Sequence, residues 1–280
     1  MSDLTDRIRF LFLAASMAAA GPALAGPQED LKEFQAFFKS RFPDVSMAEF
    51  GNGAYAINDD MRENWLATEE FPPYEPMVDE GREAWNTPFA NGNTYADCFD
   101  GNPGVVQYFP YYDTDKKMVI TLPLAINECR AKIGEPALPY GKGEITHIMA
   151  YMAFESRGEL TDVVSPTCDP NALAAYEAGK EYWYKRQGQY QFSCAHCHKA
   201  YTGSKLRTDV LSPGLGHTSH WPVYRGDWGE MGTLHRRFAG CLEMLRGRVL
   251  DEQSETFRNL EYFMTFMSNG VPLNGPSSRK

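Results

Sequence analysis

The chain has 280 residues, 43% hydrophobic and 23% charged, the balance of a soluble globular protein with one or two packed domains. Its 27 Lys and Arg stand against 37 Asp and Glu, a formal net charge of −10, which argues against a nucleic-acid binder that meets phosphates with a basic surface. Beyond the first 25 residues no apolar run is long enough to span a bilayer.

At the N-terminus, Arg7 and Arg9 precede an apolar stretch from Phe10 to Ala20 and then Ala23-Leu24-Ala25. This is the pattern of an export signal cleaved after Ala25. Residues 1–25 are therefore expected to be a signal peptide, and the six cysteines are read as those of a chain working where disulfides persist.

The remaining elements repeat. Gly81-Arg82-Glu83-Ala84-Trp85 precedes Cys98, and Gly179-Lys180-Glu181-Tyr182-Trp183 precedes Cys197 at nearly the same spacing. A further cysteine follows in each half, Cys129 and Cys241, and each is followed 29 residues on by a glycine, Gly158 and Gly270. Ile145, Ile148, Met149 and Met152 in one half, and Phe257, Leu260, Met264 and Met267 in the other, have helical periodicity and end at those glycines. Between the halves, Ser165-Pro166-Thr167-Cys168-Asp169-Pro170 has the composition of a linker. The expected fold is mainly α, with two cytochrome c-like domains in tandem, residues 26–165 and 166–280.

The strongest chemical signal is Cys194-Ala195-His196-Cys197-His198, a C-x-x-C-H sequence. Two thiols on one helical turn can form thioethers to the vinyl groups of a haem, while the adjoining imidazole of His198 reaches the iron. A thioredoxin-like pair would need a preceding strand of a parallel sheet, and a zinc site a second C-x-x-C. One covalently bound haem c is expected, with Cys194 and Cys197 as its anchors and His198 as an iron ligand. Candidates for a second ligand are His217, His220, Met231, His235, Cys241 and Met244. Among them Cys241 follows Arg236 and Arg237, cations that favour a thiolate.

Aligning the halves puts Tyr95 in the place of Cys194 and Phe99 in that of His198, so the first domain is expected to hold no haem. Cys98 and Cys129 then flank an empty pocket and are expected to form a disulfide that staples it. Cys168 is left over.

The export signal, the two repeats, the C-x-x-C-H turn and Arg236-Arg237-Phe238-Ala239-Gly240-Cys241 together resemble the SoxA family, cytochrome subunits of the periplasmic thiosulfate-oxidising system. The likeness covers nearly the whole mature chain and is to the single-haem type. It implies a periplasmic L-cysteine S-thiosulfotransferase that works with the cytochrome SoxX and joins thiosulfate to a cysteine of the carrier complex SoxYZ. It also implies His198 and Cys241 as axial ligands, Cys241 as catalytic sulfur, and Arg237 as the substrate-binding residue. From Cys194 to Leu250 there are eight basic residues against four acidic ones, an asymmetry that draws an anion to the second domain. Arg236 could equally pair with a haem propionate. An electron-transfer cytochrome with a Met ligand, or a thiosulfate dehydrogenase forming tetrathionate, are the alternative activities.

Overall fold

The computed structural model describes residues 26–280, and the expected signal peptide lies outside them. The described chain is mainly helical: α1 (Pro27–Arg41), α2 (Asp59–Glu69), α3 (Glu75–Asn86), α4 (Leu122–Ile133), α5 (Glu144–Glu155), α6 (Pro170–Tyr184), α7 (Leu234–Met244) and α8 (Glu255–Phe266). Strands are two or three residues long. β1 (Tyr111–Asp113) and β2 (Met118–Ile120) form a hairpin, as do β3 (Lys205–Leu206) and β4 (Asp209–Val210). β5 (Val223–Arg225) lies between antiparallel β6 (Glu230–Gly232) and parallel β7 (Ser277–Arg279). Among the described residues, no helix is long and apolar enough to cross a membrane.

The internal repetition read from the sequence has a structural counterpart. α3 packs on α5, and α6 on α8. Both crossings are close because a glycine faces the partner backbone: a Cβ on Gly81 would lie 1.9 Å from the His147 carbonyl oxygen, and one on Gly179 2.0 Å from that of Asn259. A short hairpin then leads into a helix capped by threonine. Thr121 Oγ1 accepts from Leu124 N at the start of α4, and Thr233 Oγ1 from Arg236 N at the start of α7, each occupying an otherwise unpaired first-turn amide. The closing helices end before Gly158 and Gly270, with φ of +87° and +84°, the left-handed region where glycine carries no Cβ penalty.

Two hydrophobic cores result. One surrounds Trp85 with Ile126, Ile145, Ile148 and Met152; the other surrounds Trp183 with Tyr176, Phe257, Phe263 and Met264. The cores depart from the chain order in several places: Val119 of β2 lies in the core around Trp183, and Met231 of β6 in the core around Trp85. Phe34 and Phe38 of α1, and Phe50 after it, join the core around Trp183, so the N-terminal helix of the first half packs with the second. The linker contains a 3₁₀ turn, Pro166–Cys168, and Asp169 then caps α6 by accepting from Asn171 N and Ala172 N. Farther on, Arg157 donates to the carbonyls of Gly275 and Pro276, and Ser278 Oγ to Glu69. These bonds tie the C-terminal strand to the first half.

Candidate functional site

Residues 194–200 form a short helical segment whose end, His196–Ala200, widens into a π turn, a distortion frequent at functional sites. Ser193 begins it: its hydroxyl accepts from His196 N, and its N–H and Oγ both meet His196 Nδ1. Cys194 and Cys197 are free thiols on this turn. His198 Nδ1 lies 3.0 Å from the Ser212 carbonyl oxygen. A proton on Nδ1 donated to that carbonyl leaves the Nε2 lone pair for a metal, the usual arrangement of a ligating histidine. Burial pushes the imidazole down to about 4, with the Arg237 charge acting in the same direction, so His198 is neutral at pH 7. Trp183 stands beside it, ring centres 6.3 Å apart, and His217 at 4.4 Å.

The second group of residues comes from α7. Its buried face carries Leu234, His235, Phe238 and Leu242; Arg237 and Cys241, one turn apart, lie on the less buried side. The arginine folds back along the helix, with Nη1 3.7 Å from where a Cβ on Gly240 would stand. The charge of Cys241 acts on the thiols of the C-x-x-C-H turn. Burial pushes the Cys194 thiol up to about 12, and the like charges of Cys241 and Cys197 add to it. Burial likewise raises Cys197, with Cys241 adding to the rise and Arg237 opposing it. The charges of Arg237 and Cys241 thus act on the residues of the C-x-x-C-H turn.

The other candidate ligands are placed differently. Met231 belongs to the core around Trp85, and Met244 is 51% exposed. His235 accepts from Gln253 N at Nδ1 and pairs with Glu261 at 2.9 Å through Nε2. His220 Nδ1 faces the Gly51 carbonyl. Arg236 lies over the Trp228 ring at 4.3 Å and bonds Glu230 at 3.0 Å, so its charge already has a partner.

The residues present fit a c-type haem. Two thiols and an oriented imidazole share one turn, and Cys241 on α7 is a further free thiol. A haem brings its own equatorial nitrogens and needs only axial ligands from the chain. Among the described residues no cluster of three or more His, Cys, Asp or Glu gathers as a metal site.

The corresponding place in the first half is closed. Cys98 and Cys129 are joined in a disulfide, Cα atoms 5.8 Å apart. Trp85 packs on Tyr95 at 6.1 Å and Phe99 at 5.5 Å, the residues that stand where Cys194 and His198 do. The Tyr95 hydroxyl accepts from Arg130 Nη1 at 2.8 Å, and Arg130 Nε donates to the Pro136 carbonyl. Cys168 is free and exposed. Two features carry no signal in the sequence: the Ser212 carbonyl on His198, since any residue offers a carbonyl, and the Arg130–Tyr95 bond, which depends on tertiary packing.

Residues 80–160 match the family model described as SoxA/TsdA, cytochrome c domain. Over 271 residues the chain is 55% identical to the L-cysteine S-thiosulfotransferase subunit SoxA of Allochromatium vinosum, covering 96% of each. It is 48% identical to the same subunit of Chlorobaculum tepidum, over 90% of this chain and 87% of that one. The crystal structure of SoxXA from P. pantotrophus superposes with a TM-score of 0.67 at 28% identity, covering 75% of this chain and 79% of that one. With identity of this level sustained from end to end, and a cytochrome c-like fold shared with a solved SoxXA chain, the protein belongs to the SoxA family.

Proposed function

We propose that this chain is a periplasmic L-cysteine S-thiosulfotransferase that pairs with the cytochrome SoxX and conjugates thiosulfate oxidatively to a cysteine of the SoxYZ carrier. Residues 26–165 and 166–280 are read as tandem cytochrome c-like domains, the first without haem and the second holding one haem c through Cys194 and Cys197. His198 and Cys241 would hold its iron, Cys241 is the catalytic sulfur, and Arg237 binds substrate. The observation that carries the reading is the placement of Arg237 and Cys241 one turn apart on α7, with the charges of both acting on Cys197 of the C-x-x-C-H turn. The Cys98–Cys129 bond supports an oxidising compartment.

The arrangement accounts for the chemistry. Thiosulfate is a small dianion, and a guanidinium meets its oxygens with paired, charge-assisted N–H donors. Arg237 orients the anion with its terminal sulfur toward Cys241 Sγ. A sulfur–sulfur bond forms between them as two electrons leave, and the sulfonate-bearing sulfur then passes to the carrier thiolate by attack on sulfur. Overall, one thiosulfate and one carrier thiolate give one S-thiosulfonate and two electrons. A bound haem supplies a one-electron acceptor beside the reacting sulfur, so the second electron needs another acceptor, the role assigned to SoxX. Met231 in the first core and exposed Met244 give no support to a Met-ligated electron carrier.

The test is mass mapping of the protein purified with SoxX, followed by incubation with SoxYZ and thiosulfate. One haem per chain, an added sulfur on Cys241 and a thiosulfonate on the carrier cysteine are expected. Tetrathionate formed without any carrier would replace this reading with that of a thiosulfate dehydrogenase.

A further inference from the structure

The segment that leads into the C-x-x-C-H turn is fastened to the C-terminal end of α7. Gln187 N donates to the Phe192 carbonyl at 2.8 Å, closing a small loop whose next residue, Ser193, starts the turn. At the tip of that loop, Gln189 N donates to the carbonyl of Arg246 and Tyr190 N to that of Leu245, both at 3.4 Å. Leu245 N in turn donates to the Cys241 carbonyl at 3.1 Å. Cys241 is thus two hydrogen bonds from Tyr190, which stands four residues before Cys194. The approach is close. Gly188 has a φ of +64°, and a Cβ on it would clash with the Leu245 carbonyl and lie 2.8 Å from Gly247 N; glycine alone combines that conformation with that contact. On the outer side, the Arg246 guanidinium lies over the Tyr190 ring at 5.2 Å.

The first half has the same fastening in a looser form. Setting Cys98 on Cys197 puts Asn91 in the place of Tyr190, and setting Cys129 on Cys241 puts Ile133 in that of Leu245. Phe89 N donates to the Asn93 carbonyl at 2.7 Å to close the loop, and Asn91 Nδ2 reaches the Ile133 carbonyl at 3.4 Å. The two helices also end alike, Glu135 N donating to the Arg130 carbonyl and Gly247 N to that of Leu242. In the first half a side chain spans the gap, and the Cys98–Cys129 bond fixes the cysteine-bearing helix covalently. In the second half Cys241 has no such bond, and the loop backbone itself meets the helix end.

We propose that Gly188 and Tyr190 are positioning residues: the loop 187–192 is a strap that holds Cys241 in register with the haem-attachment turn. This rests on the functional reading above, in which Cys241 is both an iron ligand and the reacting sulfur. A sulfur with those two tasks needs its helix fixed without being consumed in a covalent tie, because a small misplacement of a reacting group costs much of the rate. Backbone bonds to the loop that precedes the turn meet that need. Any withdrawal of α7 from the turn breaks both of them.

The experiment uses the haem-loaded protein with SoxX and compares wild type with Gly188→Ala, Arg246→Gln and, as a control, Gly203→Ala. Gly203 also has a positive φ, +85°, but a Cβ on it would meet nothing nearer than 3.6 Å, so this variant carries left-handed strain without touching the strap. Thiolate ligation is read from the electron paramagnetic resonance of the ferric haem, and access to Cys241 from its rate of alkylation by iodoacetamide, located by peptide mapping. Gly188→Ala should lower the thiolate-ligated fraction and speed alkylation of Cys241 on the order of ten-fold, with the haem still attached. Arg246→Gln, which removes only the cation from the Tyr190 ring, should speed it about two-fold. Gly203→Ala should match wild type in both readouts. Wild-type behaviour of Gly188→Ala would overturn the proposal, and so would an equal change in Gly203→Ala, which would mean general loosening. If Gly188→Ala does not fold, an Arg246→Gln rate equal to that of wild type overturns it. A wild-type protein without the thiolate signature would overturn the functional reading and the strap with it, whereas a wild-type signature that persists in Gly188→Ala removes the strap alone.

Discussion

The two halves solve one packing problem with opposite interiors. Both bring a glycine-bearing helix against a closing helix, set a tryptophan beneath the crossing, and start the next helix with a threonine after a short hairpin. In the second half the space beside the tryptophan holds His198 and two free thiols; in the first it is filled by Tyr95 and Phe99 and closed by a disulfide. The scaffold is therefore separable from the chemistry. Aromatic stacking and one covalent bond fill and tie the core of the first half.

The largest effect is expected where the comparison is sharpest. Replacing Cys241 with Met should reduce carrier-dependent thiosulfate conjugation to background while leaving the haem attached through Cys194 and Cys197. A conjugation assay with haem quantification checks this, and persistent activity would remove Cys241 from its catalytic role. Its counterpart in the first half acts only through the fold. Replacing Cys98 and Cys129 together with Ser opens a loop with a sequence separation of 31, for which chain entropy gives about 3.5 kcal/mol of lost stability. Denaturant unfolding should show that loss, with the thiosulfate KM unchanged.

Much of this was legible before any coordinates. The glycine stops of α5 and α8 follow from helical periodicity, and the C-x-x-C-H spacing, which thioether attachment dictates, gave the expectation on which the proposed function rests. The pair Cys98–Cys129 followed from aligning the halves, which sets Tyr95 and Phe99 where the other half has Cys194 and His198 and leaves these two cysteines to pair. Other features were not legible. The apolar face of α1 shows that Phe34 and Phe38 seek a core, but not that they choose the one around Trp183. Arg236, considered as a partner for a haem propionate, is occupied by Glu230 and Trp228.

The shared scaffold predicts equal damage in both halves when it is disturbed equally. Gly81→Ala and Gly179→Ala each place a methyl within about 2 Å of a carbonyl oxygen, and neither backbone has room to accept it. Overpacking of this kind costs about 1–3 kcal/mol, read as a shift in denaturation midpoint. Similar losses in the two variants would confirm that the crossings are equivalent. A loss confined to Gly179→Ala would mean that the first half no longer depends on the close approach.

The smallest effect separates filling from bonding within the closed half. Tyr95 is 1% exposed, packs against Trp85 and Phe89, and accepts from Arg130. Tyr95→Phe keeps the ring and removes only the hydroxyl. Arg130 retains the Pro136 carbonyl and lies 3.9 Å from Glu135 and 3.8 Å from Glu144, so its charge is not stranded. The expected cost is about 1 kcal/mol, measured by denaturant unfolding, with haem content and thiosulfate KM as in wild type. Tyr95→Ala should cost about 3–5 kcal/mol, because it removes a large aromatic from a packed core. A wide gap between the two variants would mean that the ring closes the first half and the hydroxyl only orients Arg130; a gap near zero would mean that the hydrogen bond holds it shut.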